Sequence, residues 1–268
     1  MRNFKRVLVT TCVMLIGVFS ISTTKKDDVK IPVVEKIGGI YYLEVDADNS
    51  YDRGFQQGAA LKQEIIESII DFDVWVAEHT PYKNSEGFAE AFNSQTTYLE
   101  DLKRSLPDMY SELKGMSEAS NVDIGVLFLY NSFDEYLAFL MEKNSSTEQV
   151  AHCTTTGVFG RDDKANYVTH NNDLLVLLRN KVVVTKIIDK QKKVEILQSA
   201  FVGIFAQNGV NNKGVAVGCN IILDLDRNTS GIPVAFNIRK ILETNSVNEA
   251  KNYLLNIDFR RIERGVVL

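Results

Sequence analysis

Cysteine is scarce in this sequence, and its scarcity excludes one class of small secreted protein. The 268 residues include three cysteines, too few for a disulfide scaffold. An excess of charge of one sign is also missing, because 30 Lys and Arg face 35 Asp and Glu, for a net charge of −5. That balance argues against nucleic acid or an anionic membrane as the main partner. With 45% hydrophobic and 24% charged residues, the composition is that of an ordinary globular protein of one or two domains.

Common metal and phosphate motifs are missing as well. The sequence contains no glycine-rich phosphate loop and no HExxH motif. The three histidines, His79, His152 and His170, do not have the spacing of metal ligands. Two Asp-rich stretches, 46–51 and 224–229, lack the glycine and the glutamate of a calcium-binding loop. We therefore expect no metal site and no organic cofactor.

The amino terminus has the pattern of a secretory signal peptide. Basic residues between positions 2 and 6 precede an apolar run over 7–21, and small residues follow that suit cleavage after Ser22. The run is short for a membrane span, which needs about 20 residues. The pattern predicts an exported protein, periplasmic or secreted, that loses residues 1–22 and then has no stable membrane insertion. An uncleaved membrane anchor is the alternative.

Helical and strand patterns divide the rest of the chain near position 153. A strand pattern at 38–45 is followed by apolar residues at helical spacing, through 50–79, 86–105, 107–120 and 123–142. Gly115, inside a helical segment, is a candidate for close packing. Segments rich in β-branched residues then predict strands, over 153–159, 167–170, 181–188, 194–201 and 215–223. Helical patterns return at 233–244 and 250–255. This order predicts a layered α+β fold.

Cys153 stands at the boundary between the helical and the strand-rich half. A lone cysteine that opens a strand is commonly a small buried hydrophobe. If the bond between His152 and Cys153 were cleaved, however, Cys153 would carry both a thiol and a free α-amine. An α-amine has a pKa of about 7.7–8, which suits a general base near neutrality. One residue would then be nucleophile and base together.

Five short motifs stand in a fixed order along the chain. They are Tyr51-Asp-Arg-Gly-Phe-Gln-Gln-Gly58, Leu106–Gly115 with Val126–Asn131 and Glu135, Cys153-Thr-Thr, His170-Asn-Asn-Asp173, and Val210–Gly214 with Val217–Asn220. Together they resemble the acyl-coenzyme A:isopenicillin N acyltransferase-like family of N-terminal-nucleophile (Ntn) hydrolases. The last pair also resembles bile salt hydrolases and penicillin V acylases, the choloylglycine hydrolase relatives of that family.

The resemblance implies a fold and a division of the chain. The fold would be a four-layer αββα sandwich. Residues 23–152 would be a mostly helical prosegment, retained as the small subunit after cleavage, and residues 153–268 would be a partial catalytic chain. The two parts would stay associated.

The resemblance also implies roles for individual residues. Cys153 would first cleave its own bond to His152 and then form an acyl-enzyme with a small N-acylated substrate. The acyl group would pass to water or to an amine. Asp173 would hold the Cys153 amine, and the Asn220 amide would stabilise the oxyanion.

The sequence departs from the family pattern at several points. Position 170 is His, where bile salt hydrolases carry Arg and the acyltransferases carry Gln, and His152 replaces a small residue. The family also continues beyond the point that matches residue 268, so we expect a C-terminally truncated chain. Two alternatives follow. One is an unprocessed Cys–His hydrolase in which His170 is the base, and the other is an inactive truncated member or split-gene fragment.

Overall fold

The computed structural model describes residues 29–144, 153–161, 165–173, 175–220, 229–256 and 266–267. The predicted signal peptide (1–22) lies outside the described residues, and so does His152. The end of the strand predicted at 215–223 also lies outside them.

The first half of the chain forms a hairpin and a series of helices. The strands are β1 (Glu35–Ile37) and β2 (Ile40–Ala47), and the helices are α1 (Ser50–Ala60), α2 (Lys62–His79), α3 (Ser85–Gln95), α4 (Tyr98–Ser105), α5 (Pro107–Ser120), α6 (Ile124–Asn131) and α7 (Phe133–Asn144). Strand β2 begins at Ile40, two residues after the predicted start at Gly38. Gly38 and Gly39, with φ of 58° and 88°, instead form the turn of the hairpin.

Three of the predicted helices are each divided in two. The breaks lie at Leu61, at Thr96 and Thr97, and at Ser132. Leu61 has φ −111° and ψ 23°, and Thr96 is extended, with φ −131° and ψ 163°. Because only one or two residues leave the helical conformation, the apolar spacing on either side of each break is nearly continuous. The hydrophobic pattern therefore predicted the helices but not their ends.

Helices α1 and α5 approach each other closely through glycines. A Cβ atom at Gly54 would lie 1.7 Å from the carbonyl oxygen of Glu112, and one at Gly115 would lie 2.1 Å from that of Tyr51. Any side chain at these positions would push the helix backbones apart. The close packing expected of Gly115 is present in the structure.

The second half contains most of the strands. They are β3 (Cys153–Val158), β4 (Tyr167–Asn172), β5 (Val182–Asp189), β6 (Val194–Phe201), β7 (Asn208–Asn211), β8 (Ala216–Cys219) and β9 (Val266–Val267). A 3₁₀ turn spans Val176–Leu178, and the helices are α8 (Val234–Leu242) and α9 (Val247–Asn256). Each predicted strand and helix of this half has a counterpart among these elements.

The strands form two sheets. One has the order β1-β2-β5-β6-β7-β8-β9, and the other is the β3–β4 hairpin. Strand β2 pairs in parallel with β5, from Tyr41 opposite Val183 to Ala47 opposite Asp189. The first half of the chain therefore supplies part of the main sheet as well as the helices.

The main sheet lies between α8 and the β3–β4 hairpin. Gly209 and its partner Val217 share one face, where a Cβ at Gly209 would lie 2.8 Å from Leu242 of α8. The next residue, Gly218, faces the other way, and a Cβ there would lie 2.9 Å from Thr155 of β3. The α+β class is confirmed, and the described residues form a helical layer, the main sheet and a second, smaller sheet.

Candidate active site

Cys153 is the first residue of β3 and is half-buried. It pairs across the hairpin with Asn172 of β4, and Thr155 pairs with His170. Since side chains alternate along a strand, these four side chains share one face of the hairpin. Contacts between that face and Gly218 show that it lies against β8.

The Cys153 thiol contacts an asparagine that the motif comparison did not single out. Its Sγ donates to Asn172 Oδ1 at 3.7 Å. The same oxygen lies 2.5 Å from His170 Nε2. Asn172 therefore links the thiol to the imidazole ring.

Thr155 continues this chain of hydrogen bonds to β8. Its Oγ1 lies 2.7 Å from His170 Nδ1 and donates to Asn220 Oδ1 at 2.8 Å. Asn220 directly follows β8. The structure thus brings three predicted site residues, Cys153, His170 and Asn220, into one hydrogen-bonded chain.

Gly218 makes room for this arrangement. A Cβ at Gly218 would lie 2.9 Å from both Oγ1 and Cγ2 of Thr155 and 3.2 Å from His170 Nδ1. A side chain at Gly218 would therefore displace the hairpin from β8. Sequence reasoning missed Thr155, Asn172 and Gly218, although strand alternation relative to Cys153 and His170 is a signal that could have found the first two.

Asp173 lies beside this chain of hydrogen bonds rather than within it. It is exposed, and its Oδ1 accepts from Asn171 Nδ2 at 3.4 Å. It comes one residue after Asn172, which pairs with Cys153 at the end of the ladder. The backbone of Asp173 is therefore close to the first residue of β3, Cys153.

A cavity of about 420 Å³ lies beside Asn172. Asn172 belongs both to its wall and to the contact with Cys153. More than half of the remaining wall residues are apolar; the wall comprises Leu175, Val176, Leu178, Arg179, Asn180, Val182, Ser199, Ala200, Phe201 and Gln207. Such a cavity suits an apolar group carried next to the reacting atom.

No group of three or more His, Cys, Asp or Glu side chains suited to a metal ion occurs in the part of the chain that the structure describes. Among the helices of the same residues, none has both the length and the apolar character needed to cross a membrane.

On the other face of the main sheet, buried charges join the two halves of the chain. Arg53 of α1 contacts Glu112 of α5 at 2.9 Å and Asp189 of β5 at 3.2 Å. Glu112 also contacts Arg239 of α8 at 3.3 Å. Burial opposes the charge of Glu112, but Arg239 and Arg53, with a hydrogen bond from Gln57, hold its pKa below the ordinary value. We call Arg53, Glu112, Asp189 and Arg239 the buried charge network.

Two further carboxylates of the first half hold the segment that leads into α8. Asp101 accepts from the backbone N–H of Gly231 at 2.8 Å. Glu135 accepts from the N–H of Val234, at the start of α8, at 3.0 Å. Burial raises the pKa of Asp101, but the Gly231 N–H, the Thr97 hydroxyl and Arg104 together lower it.

Comparison with known proteins finds a similarity in the second half of the chain. Residues 159–263 match the model of the acyl-coenzyme A:6-aminopenicillanic acid acyl-transferase family. The match agrees with the predicted family over this part of the chain. The matched range includes His170, Asp173 and Asn220, and Cys153 lies just before it. No curated protein matches the chain. The family match indicates an enzyme of acyl transfer.

Proposed function

We propose that this chain is an autoprocessing cysteine amidohydrolase or acyltransferase that breaks the amide bond of a small N-acylated substrate. One observation supports the proposal most. Cys153 begins a strand, and its thiol is hydrogen-bonded to Asn172, which lines a largely apolar cavity and belongs to the hydrogen-bonded chain that reaches Asn220. The family whose model matches the following residues acts in acyl transfer.

The first step is cleavage of the bond between His152 and Cys153. The Cys153 sulfur attacks the carbonyl carbon of residue 152, the C–N bond breaks, and the nitrogen takes up a proton to become a free α-amine. Water then cleaves the thioester, which releases the carboxylate of residue 152 and restores the thiol. Residue 153 is thereafter an amino terminus.

The second step uses the new terminus on a substrate. The Cys153 α-amine accepts the thiol proton, and the sulfur attacks the carbonyl carbon of the amide. The Asn220 NH₂ group donates to the oxyanion, and one such donor contributes about 10²–10³ in rate. The C–N bond breaks, and the leaving amine takes the proton from the Cys153 ammonium. Water or another amine then accepts the acyl group from sulfur.

Asp173 is the carboxylate that we propose to hold the Cys153 ammonium. Its support is its position, one residue beyond the β4 partner of Cys153. A carboxylate beside an ammonium favours the charged form of both groups.

The cavity supports an apolar acyl group as the part of the substrate that is recognised. Leu175, Leu178 and Phe201 contribute apolar surface to its wall, which Asn172 connects to the thiol. The predicted export of the protein favours hydrolysis over transfer from acyl-coenzyme A. That location and the division into residues 1–22, 23–152 and 153–268 belong to the proposal.

Lasting association of residues 23–152 with residues 153–268 is also part of the proposal. The buried charge network, Asp101 and Glu135 all join the two halves, and strand β2 pairs with β5. Separating residues 23–152 would break the buried ion pair between Arg239 and Glu112. Such a loss is strongly destabilising.

Mass spectrometry of the acyl-enzyme tests the substrate chemistry. The protein is incubated with N-acyl 4-nitroanilides of increasing chain length, quenched in acid and weighed. We expect release of nitroaniline and an added acyl mass on the fragment that begins at Cys153. A Cys219→Ala variant, which keeps the candidate nucleophile, is the matched control for Cys153→Ala.

The alternatives give different results in the same experiment. An uncut chain whose turnover is lost in both Cys153→Ala and His170→Ala would support the Cys–His hydrolase. A folded chain that neither splits nor forms an acyl adduct would support the inactive fragment. In the structure the Nε2 of His170 faces Asn172 Oδ1 at 2.5 Å, which does not favour the histidine as the base.

A further inference from the structure

Thr155 has no part in the chemistry above, yet its hydroxyl lies at the centre of the candidate site. Its Oγ1 is 2.8 Å from Asn220 Oδ1 and 2.7 Å from His170 Nδ1. We propose that Thr155 is a positioning residue that fixes the Asn220 side-chain amide with its NH₂ group turned toward the substrate carbonyl. The catalytic meaning of this inference rests on the proposed function, but the orientation itself can be tested without activity.

Counting hydrogens determines the direction of each bond. A threonine hydroxyl has one hydrogen, and an amide oxygen only accepts, so the Thr155 hydrogen goes to Asn220 Oδ1. The Thr155 oxygen then accepts from His170 Nδ1, which must carry a hydrogen. The other ring nitrogen of His170, Nε2, faces Asn172 Oδ1.

Packing holds the Thr155 side chain in this position. A Cβ at Gly218 of β8 would lie only 2.9 Å from both branches of the Thr155 side chain, so Thr155 already touches β8. A β-branched side chain is also restricted at χ1. The hydroxyl is therefore held between β4 and β8, where it meets both His170 and Asn220.

A fixed orientation matters for an oxyanion donor. The two ends of a side-chain amide have opposite roles, since the oxygen accepts and the NH₂ group donates. An amide that turned its oxygen toward the developing negative charge would repel it. With Oδ1 bonded to Thr155, the NH₂ group of Asn220 already points toward the oxyanion before the reaction. Electrostatic stabilisation of an oxyanion is most effective when the donor does not have to reorganise during the reaction.

Nuclear magnetic resonance of the full chain tests the orientation directly. The protein is labelled with ¹⁵N-asparagine, and the side-chain NH₂ signals of Asn220 are assigned by their loss in Asn220→Asp. We expect Thr155→Val, which removes the hydroxyl and keeps the shape, to shift or broaden these signals. Thr155→Ser, which restores a hydroxyl, should return them toward their original positions.

Thr156→Val is the matched control. Thr156 is the next residue of β3, faces away from β8 and is exposed. The same chemical change there should leave the Asn220 signals in place. Asn220 signals that do not move in a folded Thr155→Val protein would overturn the proposal, whether or not the protein is active. A Thr155→Ser spectrum that resembles that of Thr155→Val would overturn it too, because the hydroxyl would then not be the cause.

Kinetics give a second, independent readout. We expect Thr155→Val to lower kcat with little change in KM, by at most the 10²–10³-fold that loss of one oxyanion donor costs. In an Asn220→Ala background, Thr155→Val should have almost no further effect, since Thr155 acts through Asn220. If Thr155→Val lowered kcat by the same factor in the Asn220→Ala background as in the unaltered protein, the positioning role would be overturned. Absence of thiol-dependent turnover in the unaltered protein would contradict the proposed function, and the resonance experiment would still decide the orientation.

Discussion

Arg53 Nε lies 2.9 Å from Glu112 Oε2, with side chains only 2% and 1% exposed. This pair joins helices α1 and α5 at their glycine contact, where Gly54 packs on the Glu112 backbone. Through Asp189 and Arg239 it extends to β5 and α8. The first half of the chain is therefore tied to the second by charges that water does not reach.

Removing Glu112 is expected to destabilise the protein strongly. The change Glu112→Ala leaves Arg53 and Arg239 buried without their shared carboxylate, and breaking a buried pair in this way costs about 3–5 kcal/mol. Urea unfolding of the uncut Cys153→Ala chain measures this loss.

Glu100→Ala is the matched control for Glu112→Ala. Glu100 is 69% exposed and pairs with Lys103 on the surface of α4, where an ion pair contributes about 1 kcal/mol or less. Equal losses in the two variants would contradict the importance given to the buried charge network.

Acid is expected to separate the two halves after cleavage. The pKa values of Glu112 and Asp101 are both lowered in the folded protein. A lowered folded pKa stabilises the fold above the ordinary values of about 4.3 for Glu and 3.9 for Asp, and that stability is lost as the pH falls through the folded values. Size-exclusion chromatography from pH 7 to pH 3 should show one complex at neutral pH and separated or unfolded chains at the acid end.

Two observations would contradict the acid prediction. One is a complex that separates at pH 7, and the other is a complex that persists unchanged at pH 3. For the uncut chain, the free energy of unfolding should fall over the same acid range, since the same carboxylates must be protonated.

A methyl group at Gly115 is expected to prevent normal packing of α1 on α5. The Cβ of Gly115→Ala would lie 2.1 Å from the Tyr51 carbonyl oxygen, so the helix backbones must separate. We expect a loss of several kcal/mol or failure to fold, measured by thermal unfolding.

Gly87→Ala on α3 is the matched control for Gly115→Ala. Its Cβ would come no closer than 3.4 Å to the Asn84 side chain, and Ala has the higher helix propensity by about 1 kcal/mol. Gly115→Ala with the stability of Gly87→Ala would show that the helices do not approach so closely.

Filling the cavity is expected to restrict the enzyme to substrates with shorter acyl chains. Leu175 is half-buried in the cavity wall, so Leu175→Trp should reduce the space next to Asn172. We expect kcat/KM to fall more for long-chain than for acetyl substrates. Val247→Trp, on the exposed part of α9, controls for added bulk. An equal fall for all chain lengths would argue against this cavity as the acyl site.

Local pattern in the sequence was enough to predict most elements but not how distant ones meet. Helix α5 and strand β6 have the predicted ends, since Pro107 starts the helix and a polar turn precedes the strand. The parallel pairing of β2 with β5 links residues far apart along the chain, and no periodicity encodes that choice. Motif order predicted Cys153, His170 and Asn220. Strand alternation could have placed Thr155 on the face of Cys153 and Asn172 on that of His170, but their pairing across the β3–β4 hairpin depends on a register that only the structure shows.

The mass of the denatured protein tests the central claim most directly. If Cys153 cleaves its own amino-terminal bond, purified protein gives two polypeptides, of which the second begins at Cys153. The Cys153→Ala chain remains whole, and Cys219→Ala still divides. A single uncut chain from the unaltered protein after prolonged incubation at neutral pH, or a cut that persists in Cys153→Ala, would contradict the account.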